Sequence, residues 1–134
     1  MAYDPKYLQE VVGQKAVSLA DGYEMIVILM QLEEQYPNFE SQKNFLLQEN
    51  IIKPSWVEQE HDEPLRLGAL AYMLTKMLSL KGGLKARLFG MSERFAMEEL
   101  IHQGMMREGH KRDLVTGQEL VVVMTQAAQF ILEQ

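Results

Sequence analysis

Apolar residues recur along the chain in blocks of helical spacing, separated by polar stretches rich in turn formers. Tyr7, Leu8, Val11 and Val12 follow Asp4-Pro5, an N-cap residue and a proline at the first helical position, and Gly13 ends the block. Ser18 with Asp21 reads as a capping box ahead of Tyr23 to Leu32, an almost wholly apolar helix of the kind that is buried on all sides. Glu33-Glu34-Gln35 and Tyr36-Pro37-Asn38 break it, because the residue before proline is pushed out of the helical region. Phe39, Phe45, Leu46 and Leu47 form the stripe of the next helix, Asn50 is suited to the left-handed position that closes it, and Ile51-Ile52 turn back toward the core. After a polar loop, Leu65 to Leu80 resumes helical periodicity until Lys81-Gly82-Gly83, and Leu84 to Phe89 reads as a short helical connector closed by Gly90. Ser92 caps a helix whose Phe95, Ala96, Leu100 and Ile101 are expected to face inward, with Gly104 as its closing glycine. Thr116 and Glu119 make a second capping box. The valine run that follows reads as helix, since Ala127, Ala128 and Phe130-Ile131-Leu132 keep helical spacing.

Two of these stretches repeat one plan. Phe39 to Glu49, Asn50-Ile51-Ile52 and Leu65 to Leu80 correspond to Ser92 to Gln103, Gly104-Met105-Met106 and Thr116 to Leu132; a weaker copy joins the helix from Asp4 to Val12 with Ser18-Leu19-Ala20-Asp21. The pattern predicts one all-α domain over residues 1–134, with five to seven helices. They form helix–loop–helix units, two clear and one weak, at about 4–35, 39–80 and 92–132 around one core, with 81–91 as connector. Aligned on Leu70 and Leu120, the second helices begin Pro-Leu-Arg-Leu-Gly-Ala-Leu and Leu-Val-Thr-Gly-Gln-Glu-Leu. This resembles the surface-layer homology (SLH) repeat, in which a helix ending near Gly-Ile-Ile is followed by a loop and a Thr-Arg-Ala-Glu start to an apolar helix. The resemblance implies a three-unit helical module of the bacterial cell envelope, and a cell-wall glycan contacted by the arginine of that motif. In this chain the arginine position holds Leu19, Leu67 and Gly117 in turn, while Arg66 stands one place earlier.

Composition narrows the classes. With 134 residues, 47% of them apolar and 24% charged, the chain is long enough to bury a core unaided. A net charge of -6 argues against nucleic acid as the partner. The charge is unevenly spread, because residues 81–113 carry seven Lys and Arg against five Asp and Glu. The absence of cysteine excludes disulfides, thiolate metal sites and thiol catalysis. The longest apolar run, Met25 to Met30, falls far short of the ~20 residues that span a bilayer, so no membrane insertion is expected. The start Met-Ala-Tyr-Asp-Pro has neither the basic nor the apolar region of a signal peptide. It suggests the cytoplasm, or the envelope or periplasm if a signal has been removed.

Candidate chemistry is sparse. His61 lies among Glu58, Glu60, Asp62 and Glu63, but the spacing fits no metal motif, and a solvated acidic loop is the expected reading. His102 and His110 share no helix face and read as surface residues. Ten methionines are expected to be mostly core filler rather than an adaptable groove. Trp56, alone in a polar loop, is either an apolar anchor or a stacking platform for a sugar or peptide. Lys81, Lys85, Arg87 and Arg94 form a basic cluster able to receive an anionic polymer or acidic partner, or simply ordinary surface charge. The expected function is therefore a non-catalytic interaction or scaffold module without a cofactor, binding a protein or an anionic glycan. Its candidate contact residues are Trp56, Arg66, Lys81, Lys85, Arg87 and Arg94. The alternatives are a wall-glycan anchor and a cytoplasmic regulatory helical protein.

Overall fold

The computed structural model describes residues 5–80 and 91–133. Within them the chain forms six α-helices: α1 (Pro5–Val12), α2 (Leu19–Leu29), α3 (Phe39–Gln48), α4 (Leu67–Leu80), α5 (Glu93–His102) and α6 (Gly117–Leu132). A 3₁₀ turn, Pro54–Trp56, interrupts the loop before α4, and no strand is present among the described residues, so the class is all-α. The expected connector helix at 84–89 lies outside the described residues.

Local chemistry explains where the helices start and stop. The side chains of Ser18, Asn38 and Thr116 each accept from the amide three residues on, and their own amides donate in return to that residue's side chain, while Ser92 caps α5 from one side only. The Ser18 box sets the start of α2 at Leu19, four residues before the expected Tyr23. Its end also comes early, since Gln31 adopts a left-handed φ of 62° and the Leu32 amide donates to the Val27 carbonyl at 3.0 Å. Asn50 and Gly104, at φ 60° and 76°, close α3 and α5 in the same way, through Ile51 to Leu46 and Met105 to Leu100 bonds of 2.8 and 2.9 Å. Glutamine is an unusual residue for that turn, which is why the pattern alone carried α2 on to Leu32.

The helices pack in a cycle. α2 lies on α3, α4 on α5, and α6 returns to α1, while α2 also touches α4 and α6. A small ring of backbone hydrogen bonds ties the three segments that precede α2, α4 and α6. The Val17 amide donates to Val115 at 2.8 Å, Leu65 to Val17 at 3.0 Å, and Val115 to Leu65 at 3.3 Å. All three side chains are buried, so these exchanged bonds are shielded from water.

A helix leaves its first amides without intrahelical acceptors, and here neighbouring loops supply them. Leu19 and Ala20 donate to the carbonyls of Glu63 and His61, Leu67 and Gly68 to those of Asp113 and Lys111, and Gly117 to that of Gln14. Each junction therefore locks a helix start onto the loop of the next pair in the cycle. The fit at α6 is closest, since a Cβ at Gly117 would overlap the Val11 carbonyl oxygen.

The core between the helices is dense with Tyr23, Met25, Ile26, Leu46, Leu70, Met73 and Leu74, all fully buried. Burial of a side chain of this size is worth about 1.5–3 kcal/mol. Ile51, Ile52, Met105 and Met106 are buried as the repeat predicts. Phe95 departs from expectation at 38% exposed, because α5 turns Ala96, Met97 and Leu100 toward its neighbours and leaves Phe95 on the flank. Two polar residues of α3 are buried. The Gln42 amide donates to the Glu24 carboxylate and the Tyr36 carbonyl. The Lys43 ammonium donates to the Val57 carbonyl at 3.0 Å and lies 4.8 Å from the centre of the Phe39 ring.

Candidate functional site

The second junction of the cycle opens into a cleft of about 250 Å³ where the loops ahead of α4 and α6 meet the starts of α4 and α5. Leu19, Trp56, Pro64 and Ala69 give it apolar walls, and Arg66, Lys111 and Arg112 bring positive charge to it. Arg66 spans the gap, its Nη1 donating to the Arg112 carbonyl at 3.1 Å. Lys111 approaches closely because residue 68 is glycine: a Cβ there would stand 2.7 Å from the Lys111 Cβ and 2.7 Å from the Glu93 Oε2. Glu93 supplies the carboxylate of the lining, and it is already engaged by Lys53 at 3.8 Å.

The cations of this cleft are grouped and lack ion pairs. Among the described residues, Arg94 and Arg107 are paired with carboxylates, whereas Arg66, Lys111 and Arg112 form no ion pair. The first junction is a built-in comparison, because its bonds place Ser18, His61 and Asp62 where the second has Arg66, Lys111 and Arg112. Three cations gathered on a partly apolar cleft in a chain of net charge -6 make a local field that favours an anion.

The loop carrying Lys111 and Arg112 is braced from within. Arg107 pairs with Glu119 of the α6 capping box and with Asp113 at 3.2 Å. Asp113 also accepts from the His110 amide at 3.0 Å, and the Arg112 amide donates to His110 Nδ1 at 3.1 Å. The Asp113 carboxyl is held below its usual range by the His110 amide first and by Arg107 second. Burial works to raise the Glu119 carboxyl, but Arg107 and the Thr116 amide outweigh it and hold the group down. The two cations of the loop are thus presented from a fixed frame.

The structure sorts the sequence candidates. Trp56 and Arg66 meet at the cleft. Trp56 is only 8% exposed, packs edge-on against Tyr72 at 5.3 Å between ring centres, and has Lys53 over its face at 5.8 Å. It is an anchor, held by Tyr72, and its face is not open for stacking. Arg94 points elsewhere: it borders a neighbouring hollow of about 410 Å³ with His110 and Lys111, and is paired with Glu98 at 3.4 Å. Lys81, Lys85 and Arg87 lie outside the described residues.

The positions at which the family resemblance places a glycan-reading arginine are closed. Leu19 and Leu67 are buried in the core, and Gly117 lies against the Val11 backbone. His61 and its acidic neighbours Glu58, Glu60, Asp62 and Glu63 are exposed, and His61 rests edge-on to Phe39 at 6.0 Å. No three His, Asp or Glu side chains among the described residues converge as a metal site would require.

Lys111 and Arg112 are the functional candidates that the pattern of the chain missed. They sit in the stretch read as an ordinary polar loop, and only the cyclic packing carries that loop to Arg66, 46 positions away. The available signal was the basic run His110-Lys111-Arg112 itself. Comparison with protein-family models, curated proteins and solved structures finds no match to the chain.

Proposed function

We propose that the chain is a non-catalytic interaction module of the bacterial cell envelope, built on an SLH-like frame and binding an acidic protein segment at the cleft of Arg66, Lys111 and Arg112. The carrying observation is that these three cations share one cleft without a carboxylate partner among the described residues. Guanidinium groups suit carboxylates because two N–H donors match two acceptor oxygens, and the apolar wall suits a side chain beside the acid. What supports a three-unit frame is that the starts of α2, α4 and α6 meet in three junctions of one kind. The covered ring of Trp56 favours a peptide over a sugar, which would want an open aromatic face.

Titration with hexaglutamate and, separately, with purified anionic wall polysaccharide tests the reading. The expected result is saturable hexaglutamate binding that weakens with salt and is lost in the Arg66→Gln, Arg112→Gln double variant. Binding of the polysaccharide alone would transfer the site to the glycan-anchor alternative, and binding of neither probe would overturn the assignment.

A further inference from the structure

Lys111 stands between two hollows. On one side it lines the cleft of Arg66 and Arg112, and on the other the hollow of about 410 Å³ that it shares with Arg94 and His110. The second hollow has an apolar part, since Met97, which is buried, and Ile101, which is half-buried, line it from α5. Its carboxylate, Glu98, is paired with Arg94 at 3.4 Å. Among the described residues, the cation left without an ion pair beside it is therefore Lys111, the one that it has in common with the cleft.

The internal repeat shows why this gap is open. Counting back from Gly104 and its counterpart Asn50, the residues of α3 that correspond to Arg94, Met97 and Ile101 are Glu40, Lys43 and Leu47. There the Lys43 ammonium crosses to the Val57 carbonyl at 3.0 Å and pairs with Glu40 at 3.5 Å, so a side chain of the helix ties it to the loop that follows. Met97 has no N–H to donate, and that crossing bond has no equivalent at α5. The space between α5 and its loop stays open, with a thioether in its lining that adapts to aliphatic side chains of different shape.

We infer that one extended acidic segment occupies both places: its carboxylates meet Arg66, Lys111 and Arg112 in the cleft, and an aliphatic side chain of the same segment enters the hollow against Met97 and Ile101. This rests on the reading of the cleft as a site for an acidic segment and adds a second requirement to it. Charge complementarity brings the segment to Lys111, and because Lys111 borders both places, an acid held there leaves the following residues beside the hollow. Distance sets the spacing. Glu93 borders the cleft, and Met97 and Ile101 lie four and eight residues further along α5, about 6 and 12 Å at 1.5 Å per residue. An extended chain advances about 3.3 Å per residue, so the aliphatic residue stands about two to four places from the last acid. The recognised class is an acidic stretch with a nearby Leu, Ile or Met, and not a uniformly charged polymer.

Calorimetric titration of the full chain with end-blocked peptides tests this. The probes are hexaglutamate, hexaglutamate followed by Gly-Gly-Leu, hexaglutamate preceded by Leu-Gly-Gly, and the same two tails with serine for leucine, so that both chain directions are covered. One leucine peptide should bind roughly tenfold more tightly than its serine form, the factor that partial burial of one leucine supplies. In Ile101→Ser the leucine and serine peptides should bind alike. Hexaglutamate binding with no gain from leucine in either direction would overturn the inference and leave the reading of the cleft standing. Loss of hexaglutamate binding itself would overturn that reading, and the inference with it. A leucine gain that persists in Ile101→Ser, or equal binding by Gly-Gly-Leu without its glutamates, would show a different occupant of the hollow and would also overturn it.

Discussion

The amide of Val17 donates to the carbonyl of Val115 at 2.8 Å, joining the first helix pair of the cycle to the last. The same junction presses Gly117 against the Val11 carbonyl oxygen. Gly117→Ala should therefore force α1 from α6 and cost about 3 kcal/mol or more, since the obstacle is backbone that cannot rotate aside. Gly104→Ala is the control: it meets open space and adds only left-handed strain, about 1 kcal/mol. Urea unfolding of the two variants checks the contrast.

Tyr23 is fully buried with its hydroxyl unpartnered among the described residues. Burial, with Glu63 adding to it, pushes its pKa up to about 12. The folded value exceeds the unfolded one, so this contribution to stability is whole below pH 10 and is lost as pH rises from about 10 to 12. Tyr23→Phe should flatten that alkaline decline. At pH 7 it should leave stability unchanged or raise it by up to about 1 kcal/mol, because an unsatisfied buried donor is removed. Denaturant midpoints measured across the pH range decide both points.

Arg107 governs the acid side. Asp113 and Glu119 are held below their usual values, so their contribution is present above the unfolded carboxyl range and is lost as pH falls through the folded values. Arg107→Met should lower the stability at neutral pH slightly and make its dependence on pH below about 4 shallower. An acid unfolding curve as steep as that of the parent chain would contradict this.

Gly68→Ala tests the cleft without touching a charge. The added methyl meets both Lys111 and Glu93, so the loop must retreat from α4. The expected cost is about 1–3 kcal/mol of stability, as for other overpacked sites. Hexaglutamate affinity should fall at a temperature where the variant is still folded, as circular dichroism would report.

The fold was legible where sequence signals are local. Capping pairs such as Thr116 with Glu119, left-handed closers such as Asn50 and Gly104, and the apolar pairs behind them identify both ends of several helices. Gln31 escaped because its left-handed turn rests on tertiary packing rather than on the preference of its residue type. Phe95 escaped because the chosen flank of α5 depends on where α4 lies. The cleft was half legible. Arg66 and Trp56 stand out by type and position, but nothing near them in the chain indicates Lys111 and Arg112, whose approach depends on Gly68 and on the closing of the cycle.

That closing also sets an order in time. During synthesis α2 emerges long before Val115 and α6, so the Val17 amide has no acceptor and one side of α2 no cover until those segments have been made. Contacts of such large sequence separation slow folding. The early helices therefore pass through synthesis with an apolar flank open, and a ribosome stalled before Val115 would release a chain prone to aggregate.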